Sequence, residues 1–186
     1  MDKSRTILGI DPGTNILGFG IVRVDPHGRP VFVDMGVLDI RKEPDAYSKL
    51  RRIFEKVDAL CELHHPDDLA IESPFYGKNA QVILKLGRAQ GAAMSAAALR
   101  GIPIFEYAPR KAKIAICGNG AASKEQVALI VERTLGIDIR SRWLDATDAL
   151  ALAMCHYYQL TSPLTSTKAA TSWEKFLEAN PDRIKK

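Results

Sequence analysis

Cysteine and histidine are scarce in this sequence: its 186 residues include three cysteines and four histidines. Cys61, Cys117 and Cys155 are odd in number, far apart and form no Cys-x-x-Cys pair. That excludes a disulfide framework and a zinc site as the organising chemistry. No stretch approaches the roughly 20 apolar residues that span a bilayer. The opening residues Asp2, Lys3, Ser4 and Arg5 are charged and lead straight into a strand-like segment. The expectation is a cytoplasmic protein with reduced thiols and no secretory signal.

What is present is ordinary for one globular domain, 46% hydrophobic and 26% charged. A chain of this length buries roughly 70% of the surface it exposes when unfolded, so it builds a core without staples. High apolar content with modest net charge excludes disorder for most of the chain. The size predicts one domain rather than a multidomain enzyme with its own cofactor domain. The net charge of +4 is unevenly spread. Residues 76–142 carry 11 Lys+Arg against 4 Asp+Glu, a net +7 that leaves −3 for the rest. A basic central segment is a footprint for polyanions such as nucleic acid, although solvated helix faces account for the charge equally well.

Turn signals at Asp11-Pro12-Gly13-Thr14 and Asp25-Pro26-His27-Gly28 divide the first 40 residues into three apolar runs, which predicts an antiparallel meander. Leu50, Ile53, Phe54, Val57, Leu60 and Cys61 recur at helical spacing over Ala46 to His64. A short strand is expected at 69–71, a Gly/Ala-rich helix at 79–99, and a fifth strand at 102–107. A helix opens at Pro109 and runs to about Ile116. Ser123 and Gln126 form a capping box for the next, and a last core helix covers 145–158. This order predicts an α/β domain over 1–160: a mixed five-stranded sheet, meander plus parallel strands, with helices on both faces. Residues 161–186, rich in Ser, Thr, Pro and Ala at the start, are expected to be a variable, mobile tail.

Four carboxylates stand where such a fold can gather them. Asp11 ends the first strand before a Pro-Gly turn, and Glu72 ends the fourth; strand carboxyl ends are the usual place for a site. Asp145 and Asp148 are spaced i, i+3 and share one helix face. Each has a structural alternative: a turn starter at Asp11, a strand-end charge at Glu72, a dipole or capping residue at Asp145. The alternative is weakest for Glu72 and for Asp148, which sits among Ala146, Ala149, Leu150 and Ala151. A buried carboxylate without a cation is costly. Carboxylates with no His or Cys set favour Mg²⁺ or Mn²⁺ over zinc, and a pair of such ions suits phosphoryl transfer.

The strings Ile7-Leu8-Gly9-Ile10-Asp11-Pro12-Gly13-Thr14, Ala70-Ile71-Glu72, Lys78-Asn79-Ala80, Leu84-Lys85-Leu86-Gly87-Arg88-Ala89, Phe105-Glu106-Tyr107-Ala108 and Asp145-Ala146-Thr147-Asp148-Ala149-Leu150-Ala151 follow one another over about residues 5–160. Together they resemble the bacterial RuvC family of Holliday-junction resolvases. The resemblance implies a ribonuclease-H-like fold and a homodimeric endonuclease that nicks opposed strands of four-way junction DNA in recombination and repair. It implies two Mg²⁺ ions per site, Mn²⁺ substituting, held by Asp11, Glu72, Asp145 and Asp148, with Asp11 bridging them. It also implies work beside the RuvA–RuvB branch-migration complex and a dimer contact on the 79–99 helix.

By the same resemblance, the basic residues near the scissile phosphate fall at Lys113 and Lys124, with Arg110 and Lys111 able to share the load. A lysine there offsets charge developing on the phosphate; the plainer reading is general backbone neutralisation. Phe75, three residues after Glu72 in a Ser73-Pro74 loop, suits stacking on an unpaired base, and the resemblance assigns it that role. A loop Phe tucked into the core is the alternative. Asp11-Pro12-Gly13-Thr14 also resembles the first phosphate loop of actin-type ATP-binding proteins, but those need a second such domain. A non-cleaving binder of branched DNA shares the scaffold, and retention of all four carboxylates argues against it.

Overall fold

The computed structural model describes residues 4–73, 79–138 and 144–162. Strands β1 (Arg5–Asp11), β2 (Ile16–Val24) and β3 (Pro30–Asp39) form the meander. Helix α1 (Ala46–His64) leads to β4 (Asp68–Glu72), α2 (Ala80–Leu99) and β5 (Ile104–Tyr107). Three helices follow: α3 (Pro109–Cys117), α4 (Lys124–Leu135) and α5 (Leu144–Thr161). The sheet order is β3-β2-β1-β4-β5, antiparallel on the β3-β2-β1 side and parallel through β4 and β5.

Strand side chains alternate between faces, and β1 shows what each face does. Leu8 and Ile10 pack with Phe19, Ile53, Val57, Leu60 and the small residues of α2. Ile7 packs on the other side with Val22, Val127, Val131 and α5. Helices α1 and α2 therefore cover one face, and α3, α4 and α5 the other.

The helix ends follow local chemistry. Asn79, expected inside its helix, caps it instead: its side-chain oxygen accepts from the backbone N–H groups of Gln81 and Val82. The Ser123–Gln126 capping box forms in both directions. Strand β5 starts at Ile104, two residues later than the sequence suggests, because the Ile102 N–H is spent on the Ala97 carbonyl closing α2.

Helix α5 lies with its backbone nearly on the sheet, and three glycines allow it. A β-carbon on Gly9 would stand 2.0 Å from the Ala149 carbonyl oxygen, and one on Gly18 2.0 Å from that of Asp145. One on Gly20 would meet Leu150 Cγ at 2.6 Å. Gly9 pairs with Gly20 and Asp11 with Gly18 across the β1–β2 ladder. The close approach is thus built into the strands, and it sets the first turns of α5 over the end of β1. Farther along α5, the fully buried His156 accepts or donates at Nδ1 to the Tyr107 hydroxyl at 2.7 Å and has Asp68 at 3.2 Å from Nε2. That ties the helix to β5 and β4.

Candidate active site

Asp11 is the last residue of β1 and Glu72 the last of the adjacent parallel strand β4, so both side chains leave the same edge of the sheet. Asp145 and Asp148 come from the first turns of α5, held there by the glycine contacts. Ligand oxygens of Asp11, Asp145 and Asp148 all lie within 4.8 Å of one another. Glu72 stands outside that tight trio but lines the same cavity of about 260 Å³, together with Asp11, Asp148, Lys113 and Lys124. Pro109, Ala112, Val127, Ala151 and Leu152 supply apolar walls.

Burial and mutual repulsion dominate the electrostatics. Asp11 is pushed up to about 8, first by desolvation and then by the charges of Glu72, Asp148 and Asp145. Glu72 and Asp148 are also raised, again mainly by burial. Lys124, at the start of α4, opposes this: its ammonium hydrogen-bonds Asp148 and stands 3.7 Å from Asp145. Burial works against its charge, yet Asp148, Asp11 and Asp145 prevail and raise its pKa. Lys113 also bears on Glu72 and Asp148, yet two lysines do not balance four carboxylates. The all-oxygen donor set, crowded and short of positive charge, fits hard divalent cations.

Lys113, on α3, reaches the cavity wall. Arg110 and Lys111 are not among the residues lining it. Arg110 runs along Gly120, and the Lys111 ammonium sits 5.1 Å from the centre of the Tyr107 ring, because α3 turns both away from the face bearing Lys113. Phe75 lies outside the described residues.

One residue escaped the sequence reading. Gln90, buried on α2, donates through Nε2 to the Glu72 backbone carbonyl at 3.2 Å and to Glu106 Oε2 at 2.8 Å. It anchors the end of β4 from below the sheet. The signal was a lone amide within a Gly/Ala helix face.

Comparison with known proteins places the chain. The sequence profile of the family "Crossover junction endodeoxyribonuclease RuvC" matches residues 7–156. The chain belongs to the RuvC family. The RuvC of Bacteroides fragilis is 51% identical over 185 residues, covering 98% of this chain and 97% of that one. The likeness thus extends past residue 160, where the sequence motifs stop. RuvC of Christiangramia forsetii is 48% identical over all of this chain and 95% of its own. Among solved structures, Thermus thermophilus RuvC in complex with a Holliday junction substrate superposes with a TM-score of 0.77 at 32% identity, covering 84% of this chain and 94% of that one. The yeast mitochondrial resolvase Ydc2, 12% identical with a TM-score of 0.60 over 81% of this chain and 77% of its own, shares the fold. The ribonuclease-H-like architecture expected from the sequence is the one present.

Proposed function

We propose that this protein is a structure-selective endonuclease that resolves four-way DNA junctions by metal-dependent hydrolysis, nicking two opposed strands. The observation that carries the reading is the convergence of Asp11, Asp145 and Asp148 oxygens within 4.8 Å, with Glu72 and two lysines on the same cavity. The thermophilic relative bound to a Holliday junction supplies the substrate class. Asp11, Asp145 and Asp148, with Glu72 on the same cavity, would hold two Mg²⁺ ions, or Mn²⁺ in their place. Such ions supply positive charge that polarises the phosphodiester and makes water a competent nucleophile at neutral pH.

The chain's own residues do the rest. Asp11, raised to about 8, holds a proton in the metal-free site and gives it up as divalent cations bind. Asp145 and Asp148 sit on a helix whose backbone rests on Gly9 and Gly18, so their positions are fixed before substrate arrives. Lys113 and Lys124 offset charge that accumulates on the phosphate oxygens. Water adds to phosphorus as the bond to the 3′ oxygen breaks, leaving 5′-phosphate and 3′-hydroxyl ends. Phe75 is assigned to stacking on a base at the opened junction. Each chain offers one such cavity among the described residues, so paired nicks call for a homodimer. The setting is recombination and repair in the cytoplasm, beside RuvA–RuvB. No described helix is long and apolar enough to cross a membrane.

Cleavage of a labelled four-way junction in Mg²⁺, beside linear duplex and an RNA–DNA hybrid, tests the reading. Paired symmetric nicks confined to the junction are expected. Hydrolysis of the hybrid alone would keep the fold and overturn the substrate.

A further inference from the structure

The β1–β2 turn has a second side. Asp11 faces the carboxylate cavity, while Gly13, Thr14 and Asn15 form a wall of a separate cavity of about 500 Å³. Its other walls come from the start of α1, including Lys49, and from Lys85 and Arg88 on α2. Lys85 and Arg88 are spaced i, i+3, so they share one helix face, and both are exposed.

The charges here divide into committed and free. Arg41 is bound to Asp39 through both carboxylate oxygens. Glu43 faces Arg52 at 3.4 Å, and Asp45 caps α1 by accepting from Tyr47 and Ser48, each at 2.8 Å. The Lys49 ammonium donates to the Thr14 carbonyl at 3.2 Å and to Asn15 Oδ1 at 3.1 Å, both neutral acceptors. Among the described residues, Lys85 and Arg88 form no ion pair. Three cations without a carboxylate partner therefore surround a concave surface beside the catalytic turn.

We propose that this cavity binds the phosphate backbone of the DNA strand being cut, with Lys85, Arg88 and Lys49 as its contacts. The placement argues for DNA rather than a small anion. Gly13 is two residues from Asp11, and two residues span at most about 7 Å of chain. Phosphates of one strand succeed one another about every 3.4 Å along a duplex axis. A strand with its scissile phosphate at Asp11 thus carries its next phosphates, within about three nucleotides, past this turn. The contacts are to backbone, so they set register and affinity without selecting sequence. The inference rests on the nuclease reading above.

The test uses the full-length protein with Lys85→Ala, Arg88→Ala and the double variant. Arg133→Ala, an exposed cation in the last turn of α4, is the charge-matched control for the single variants. Junction affinity is measured in EDTA over a series of salt concentrations, and single-turnover cleavage in Mg²⁺ from subsaturating to saturating enzyme. The double variant is expected to bind about 5- to 30-fold more weakly at 0.1 M salt, with the log–log salt slope reduced by about 1.5 to 2. Its nicking falls with affinity when enzyme is subsaturating and recovers as enzyme is raised, and Lys85→Arg restores the affinity lost in Lys85→Ala. Unchanged affinity and slope, or a loss matched by Arg133→Ala, would overturn the proposal. So would loss of binding that tracks a change from dimer to monomer by light scattering, which would make the patch a contact between copies. A wild-type protein that neither binds nor cuts the junction would instead refute the nuclease reading itself.

Discussion

Replacing Asp11 with asparagine should stabilise the metal-free protein, by an amount that grows as pH rises from about 4 to 8. The folded Asp11 carboxyl titrates near 8 against 3.8 for the ordinary group. Between those values the native state holds a proton that the unfolded chain has released, so stability falls as pH rises through about 4 to 8. Each unit is worth about 1.36 kcal/mol, which puts the ceiling near 5 to 6 kcal/mol. Water in the open cavity screens the repulsion from Glu72, Asp148 and Asp145, bringing the expected gain to about 2–3 kcal/mol. Urea unfolding in EDTA at matched protein concentration, at pH 4.5 and 8.5, reads this directly. The variant should gain its full advantage at pH 8.5 and almost none at pH 4.5, equivalent to a Tm rise of roughly 5–10 °C. Mg²⁺ at pH 8.5 should then raise the wild type and leave the variant nearly unmoved. Parallel pH curves for the two proteins would refute the crowded-carboxylate geometry.

Further outcomes follow from the same contacts. Mg²⁺ binding should release protons and tighten as pH rises towards 8, seen by calorimetry as a heat that depends on the buffer's ionisation enthalpy. Gly18→Ala should destabilise by at least about 3 kcal/mol in urea, since its β-carbon meets the Asp145 carbonyl at 2.0 Å. Gly87→Ala, with nothing within 4 Å, should instead stabilise by about 0.5–1 kcal/mol. Gln90→Leu frees the Glu72 carbonyl from its tie to α2. It should raise the Mg²⁺ concentration for half-maximal thermal stabilisation about 5- to 10-fold while leaving junction affinity in EDTA unchanged.

Much of this architecture is legible in the sequence because its local signals agree with its tertiary contacts. The Pro-Gly turns, the helical spacing of Ile53, Val57 and Leu60, and the Ser123–Gln126 box each describe an element that packing then keeps. Asp11, Glu72, Asp145 and Asp148 could be picked by type and position, but nothing in one dimension says how near they come. That proximity depends on Gly9, Gly18 and Gly20, visible in the sequence as glycines inside strands, whose purpose emerges only when the α5 backbone lies against them. The basic residues were harder for a related reason. Four cations between 110 and 124 look equivalent along the chain, yet the turn of α3 sends Lys113 to the cavity and Lys111 to the Tyr107 ring. Gln90 acts through a backbone carbonyl, which leaves no complementary residue type to notice.

The most direct test of the account compares junction binding in EDTA with single-turnover nicking in Mg²⁺ for Asp11→Asn, Glu72→Gln, Asp145→Asn and Asp148→Asn. The account predicts wild-type or tighter binding for all four, with nicking reduced by at least about 10³-fold, roughly 4 kcal/mol of barrier, in each. Nicking at the wild-type rate by any of the four would contradict a single metal-dependent site built from these carboxylates.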